Sequence, residues 1–180
     1  TAKNVTVQVV SATGKPQVLT LTAEEAPKVS AIKGLDKDFV SLLANDTSLS
    51  TNLREAVEFV DQYGNDIAAP AFDEANSSTA LDYTIVEKNT ANTVTTLSNG
   101  VIAASTTAGN EVYEVILTDE KGVEIDKLEV TVGVVDANKL TQFEIGDLNK
   151  FYTKASAPHN QTLKVYGVSN NKKVEINQSM

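Results

Sequence analysis

Short runs in which apolar and polar residues alternate, each closed by turn-forming residues, recur along this 180-residue chain. The run VTVQV (residues 5–9) alternates, TGKP (13–16) turns, and VLTLT (18–22) leads out. A period of two puts alternate side chains on one face of a strand, so the segment predicts a β-hairpin. Pro16 and Pro27 lack the N–H that a ladder needs and mark strand ends or an edge. The chain turns polar between Glu24 and Pro27, and a domain boundary is expected there.

Beyond it, strands are predicted at residues 29–32, 56–60, 81–87, 93–97, 101–103, 112–118 and 124–135. The apolar stretch 39–44 fits either a turn of helix or a buried strand, because so short a run has no readable period. Turns are marked by DQYGN (61–65), by Asn99-Gly100 and by DEKG (119–122), in which Gly and Asn accept a left-handed backbone at least cost. About seven or eight strands at this spacing predict an all-β fold, an immunoglobulin-like antiparallel β-sandwich. The cysteine and tryptophan markers of true immunoglobulin domains are missing, so the term describes architecture.

The pattern also repeats. Hairpin SATGKPQVLTLT (11–22) is answered by TDEKGVEIDKLEVTV (118–132), with Gly14 and Gly122 offset by 108 residues. GLDKDF (34–39) is answered by GDLNKF (146–151) at an offset of 112, and EFVDQYGNDI (58–67) loosely by KVYGVSNNKKVEI (164–176). Offsets that agree in order along the chain predict tandem modules of roughly 110 residues, each large enough to bury its own core. The expected division is residues 1–26 as the terminal strands of a preceding module, 27–136 as one complete sandwich, and 137–180 as the first strands of a following module. The start at Thr1, with no charged-then-apolar leader, fits a processed or excised piece. Two strands alone do not hold in water. Residues 2–22 are therefore expected to pack with residues 140–176, in the same molecule or a neighbour, or else to find their missing strands in a longer protein.

Composition agrees with this. Valine and threonine supply 42 of 180 residues, a bias toward half-buried pleated surfaces. No run of 18 apolar residues is present, and no membrane partner is expected. Cysteine is absent, which excludes disulfides, thiolate zinc sites and cysteine nucleophiles, and fits a secreted surface domain or a cysteine-poor cytosolic one. With 24 acidic against 15 basic side chains the net charge is −9, so a nucleic-acid backbone would be repelled. Divalent cations, or a basic face on another copy, are what such a surface attracts.

Enzyme chemistry has no visible seat. The single histidine, His159, lies in a loop composition, APHNQ (157–161), without a G-x-S-x-G elbow or a second histidine, and no phosphate-binding loop occurs. The acidic turns offer a different chemistry. Calcium takes several oxygen ligands, and Asp61, Asn65 and Asp66 share one turn, Asp73 and Glu74 another, Asp119 and Glu120 a third, with Asp136 at the predicted linker. The metal-ligand candidates are Asp61, Asn65, Asp66, Asp119 and Asp136, and the implied cofactor is Ca2+. The alternative is that Asp and Asn occupy these turns because their side chains bond the local backbone. The aromatics Phe59, Tyr63, Tyr83 and Tyr113 are expected in the sandwich core and its corners rather than on a sugar-binding face.

The run FVDQYGNDI (59–67), the strand entry SNGVI (98–102), the hairpin at 115–122 and LKVYGVSNNKKVEI (163–176) resemble the tandem immunoglobulin-like assembly domains of bacillus-type S-layer proteins. The resemblance spans most of residues 27–176. It implies a secreted, non-enzymatic cell-surface protein that tiles the wall in a lattice with copies of itself, often with calcium promoting assembly. It further implies attachment to wall polysaccharide through separate S-layer homology domains outside this chain. It maps no calcium ligand onto a particular residue. The alternative reading is an adhesin or carbohydrate-binding accessory module of a secreted bacterial protein, with ligand-binding loops at one end of the sandwich.

Overall fold

The computed structural model describes residues 3–10, 12–36, 39, 41–46, 48–77, 79–89, 91–146 and 163–176. The chain opens with the hairpin β1 (Lys3–Val10) and β2 (Pro16–Ala23). After an irregular passage come β3 (Val29–Leu35), β4 (Leu42–Leu43), β5 (Ser50–Asn52), the one-turn helix α1 (Leu53–Ala56), β6 (Val57–Asp61), β7 (Asp66–Ile67) and β8 (Ala71–Phe72). Then follow β9 (Asp82–Glu87), β10 (Thr95–Ser98), β11 (Val101–Ala104), β12 (Gly109–Thr118) and β13 (Glu124–Val135). A 3-10 turn (Ala137–Lys139) leads to β14 (Gln142–Ile145), β15 (Val165–Ser169) and β16 (Lys172–Ile176).

The fold is an all-β sandwich. One layer is a five-stranded sheet in the order β4-β13-β12-β9-β8, and the facing side is built from two three-stranded sheets, β3-β6-β7 and β10-β11-β5. Alternation decides what lies between them. Tyr83 and Ile85 on β9, Tyr113, Val115 and Leu117 on β12, and Val130, Val132 and Val134 on β13 share one cluster with Val29, Val57, Phe59, Leu53 and Ile102. Burying a side chain of this size contributes about 1.5–3 kcal/mol, which makes this cluster the main source of stability.

The two tyrosine hydroxyls that enter the core are paired, whereas Asp82 Oδ2 and Thr84 Oγ1 are buried without a hydrogen-bond partner among the described residues. The Tyr83 hydroxyl donates to the Arg54 carbonyl at 2.9 Å, and its ring packs on Phe59 and Phe72 at centroid distances of 5.0 and 5.3 Å. The Tyr113 hydroxyl and Thr95 Oγ1 are 2.6 Å apart. Tyr63 departs from expectation. It is 44% exposed at the tip of the β6–β7 turn, where its hydroxyl donates to the Glu25 carbonyl at 2.9 Å.

The described residues of the ambiguous run at 39–44 are not helical. Leu42 and Leu43 are a buried two-residue strand running parallel to Val134 and Val135. The helix that does form, α1, has no periodic signal and exists because the Asn52 side chain accepts from the Glu55 N–H at 3.3 Å. Asn99-Gly100 makes the left-handed pair of a two-residue hairpin, as predicted, and Asn170-Asn171 does the same between β15 and β16.

At the far end of β13, Leu43 and Val135 pack with Val174 and Leu140, and Ser41 bridges to Val174, so the sheet β14-β15-β16 sits directly on the sandwich. The hairpin β1-β2 is a sheet by itself. It does not pair with β14, β15 or β16 within the chain, and its strands are exposed throughout. Among the described residues no helix is long and apolar enough to cross a membrane.

Candidate functional site

The sequence pointed to acidic turns, and two of them share one geometry. In DQYGN (61–65) the Asp61 Oδ1 accepts the N–H groups of Tyr63 and Asn65, each at 2.9 Å, while the Asp61 N–H donates to the Asn65 carbonyl at 2.9 Å. In DEKGV (119–123) the Asp119 Oδ1 accepts from Lys121 at 2.8 Å and Val123 at 2.9 Å, and the Asp119 N–H donates to the Val123 carbonyl at 2.9 Å. Gly64 and Gly122 sit at the same place with φ of 82° and 72°, where a Cβ would be strained. Burial raises the Asp61 pKa, but the amides of Asn65, Tyr63 and Gly64 and the Asn65 side chain outweigh it and hold the carboxyl below its usual value. The amides of Val123 and Lys121 lower Asp119 likewise.

The other predicted ligands are engaged separately. Asp66 is exposed and pairs with Lys33 at 2.8 Å, and Glu58 reaches the same ammonium at 3.2 Å, so hydrogen bonds from both raise the Lys33 pKa. Asn65 points its amide at Asp61 Oδ2, 3.4 Å away. Asp136 caps the 3-10 turn, accepting from the Asn138 N–H at 2.9 Å and its side-chain amide at 3.0 Å. Asp73 accepts from the Ala75 N–H at 3.1 Å, and Glu74 from the Asn99 N–H at 2.5 Å. Asp61, Asn65 and Asp66 thus share a turn, whereas Asp119 and Asp136 flank opposite ends of β13. Among the described residues no group of three or more His, Cys, Asp or Glu side chains comes together in a way that could hold a metal ion.

The clefts are open and lie at the sandwich ends. One of about 550 Å³ is lined by Arg54, Glu55, Asn99 and Tyr83, with the Arg54 guanidinium 5.0 Å from the Phe72 ring centroid. Another of about 430 Å³ is lined by Lys28, Asp119, Glu120, Lys121 and Ile125. A third of about 310 Å³ lies where Asn110, Asp136, Lys139 and Lys172 meet between the sandwich and the last sheet. His159 lies outside the described residues. Asp82 is buried on β9, where it accepts from the Thr118 hydroxyl.

Reading for chemistry passed over two uncovered apolar faces. On the hairpin, Val5 lies opposite Leu21 and Val7 opposite Leu19, so these four and Val9 line one side, and all five are exposed. On the last sheet, Phe143, Gly167 and Val174 are opposite one another, as are Ile145, Val165 and Ile176. Val174 of that face is covered, but Phe143 is 69% and Ile145 66% exposed. The signal was present in the alternation of VTVQV and VLTLT, which calls for a cover that the described residues do not supply.

No family model matches the sequence, and no curated protein matches it. A solved structure does: "Structure of surface layer protein SbsC, domains 4-9", with a TM-score of 0.55 at 19% identity over 97% of this chain and 25% of that one. The likeness is one of fold. The chain therefore has an S-layer-like fold and spans about a quarter of the length of that neighbour.

Proposed function

We propose that this chain is a structural segment of a cell-surface protein, one that contributes β-modules to a surface layer by associating with copies of itself and performs no catalysis. The observation that carries the reading is the likeness in fold, along nearly the whole chain, to a multi-domain piece of a surface layer protein. The exposed apolar faces support it, because contiguous uncovered apolar surface commonly marks an interaction site. In this reading the division at residues 26 and 136 separates successive modules of an array, and the parent protein is secreted and retained at the wall by regions outside this chain. Calcium enters as a proposed aid to assembly, with the acidic sandwich surface as its target.

Sedimentation velocity over a concentration series, with electron microscopy of the concentrated protein, tests this. Mass that rises with concentration, ending in sheets or filaments, supports assembly. A chain that stays monomeric throughout and binds one sugar selectively on a glycan array would overturn it in favour of a carbohydrate-binding module.

A further inference from the structure

The junction between the sandwich and the last sheet is built from strand ends that serve both. Successive residues of a strand point to opposite faces. Leu42 belongs to the sandwich core and Leu43 to the cluster with Val174, and their parallel partners divide the same way, Val134 to the sandwich and Val135 to the junction. All four are at most 7% exposed. Each of these strand ends therefore closes two cores at once, which is also why residues 42 and 43 are both apolar and write no period. The edges are shared as well. β4 pairs with β13 on one side, and on the other the preceding Ser41 bridges to Val174 and donates its N–H to the Lys173 carbonyl at 3.0 Å.

The connecting chain has little slack. The Lys139 N–H donates to the Asp136 carbonyl at 2.9 Å, the Leu140 N–H to Ala137 at 3.3 Å and the Thr141 N–H to Val168 at 2.9 Å, between the end of β13 and the start of β14. Two strand glycines make room for contacts at this place. A Cβ at Gly133 on β13 would lie 2.5 Å from Lys172 Nζ and 2.9 Å from its Cδ, and this lysine reaches from β16 across β13 to donate to Asn110 Oδ1 on β12. A Cβ at Gly167 on β15 would lie 2.7 Å from Leu140 Cδ1. Glycine weakens a strand interior, and both positions are ones where another group approaches closely.

Modules joined by a linker move independently unless their interface is large and hydrophobic. The junction core holds only Leu43, Val135, Val174 and Leu140, so apolar area alone would leave the last sheet free to turn. We infer that residues 41–43 are a shared strand that welds the last sheet to the sandwich, so that the two turn as one body. The last sheet cannot swing without breaking the Ser41 bond and pulling Val174 away from Leu43, whose backbone is held by β13. This goes beyond the assembly reading and holds whether or not copies associate. Within an array, such a joint sets successive modules at a fixed angle.

The chain has no cysteine, so spin labels go only where they are placed. Thr96→Cys with Gln142→Cys spans the junction between two exposed positions, and Thr96→Cys with Thr131→Cys stays within the sandwich. Pulsed dipolar spectroscopy is expected to give one distance peak across the junction, as narrow as the peak within the sandwich. Ser41→Pro removes the N–H that bonds Lys173, and should broaden the first peak roughly twofold or more while leaving the second unchanged. If the peak across the junction is already broad or split without that change, the last sheet swings freely and the proposal falls. If Ser41→Pro leaves it narrow, something other than the shared strand holds the joint and the proposal falls. Should Ser41→Pro not fold, hydrogen exchange in the parent chain decides. The Ser41 N–H is expected to exchange as slowly as the Ala44 N–H, which donates to the Val135 carbonyl at 2.9 Å, and exchange at the rate of an unprotected amide overturns the weld.

Discussion

Asp61 and Asp119 hold the same place in two turns 58 positions apart in sequence, each carboxylate gripping the N–H groups two and four residues ahead. β13, which leaves the second turn, lines the core, and Ile67 of β7, which leaves the first, packs against it, so each aspartate helps fix the register of a hairpin that serves the core.

Alanine at either position is expected to lower the melting temperature by several degrees, by the same amount in EDTA as in millimolar calcium, because the lost bonds are to backbone amides. Calorimetry in the two buffers checks this. A loss seen only with calcium present would assign the carboxylates to a cation instead.

Acid tests the same turns. Both folded-state pKa values are depressed, so the stability these groups contribute is present above the unfolded value of about 4 and is lost as pH falls through the lower folded values. The melting temperature should decline below pH ~4, and the Asp61→Ala, Asp119→Ala double variant should decline less steeply.

In the core, Leu117→Ala is expected to cost about 2–5 kcal/mol in urea unfolding, since the residue is fully buried. Tyr83→Phe keeps the ring contacts but orphans the Arg54 carbonyl, and should cost about 1–3 kcal/mol.

The left-handed turns respond in opposite senses. Gly100 has φ 75° and lies where a Cβ would meet Arg54 Cβ at 2.6 Å, so Gly100→Ala is destabilising by more than about 1 kcal/mol. Asn171 has φ 63° with a side chain already in place, and Asn171→Gly should stabilise the β15–β16 hairpin by a few tenths of a kcal/mol, read by hydrogen exchange of the Ser169 and Lys172 amides.

Val174→Glu puts a charge between Leu43 and Val135. Limited proteolysis should then cut within residues 137–176 at rates well above those of the parent chain, while the sandwich keeps its own melting transition.

Much of the sandwich was legible because a half-buried strand writes its period directly into the chain, as in AVEFV (56–60) and in β12 and β13. What escaped were elements too short for a period. Ser50–Asn52 and Ala71–Phe72 are strands only because a neighbour pairs with them, and the parallel match of Leu42 with Val134 depends on residues far away in sequence. Tyr63 read as core because aromatics usually are, but its turn projects it outward to bond Glu25. The turn aspartates were legible as a group and not in their role, since the same residue suits a cation or a backbone amide and only geometry separates the two.

The parallel pairing of Leu42–Leu43 with Val134–Val135 has a mechanical side. The chain enters the sandwich at Val29 and leaves it at Val135, so tension between those points runs along the axis of β13. Loaded that way, the bonds flanking the strand are sheared together rather than unzipped in succession, and the sandwich resists stretching along the direction in which it is strung.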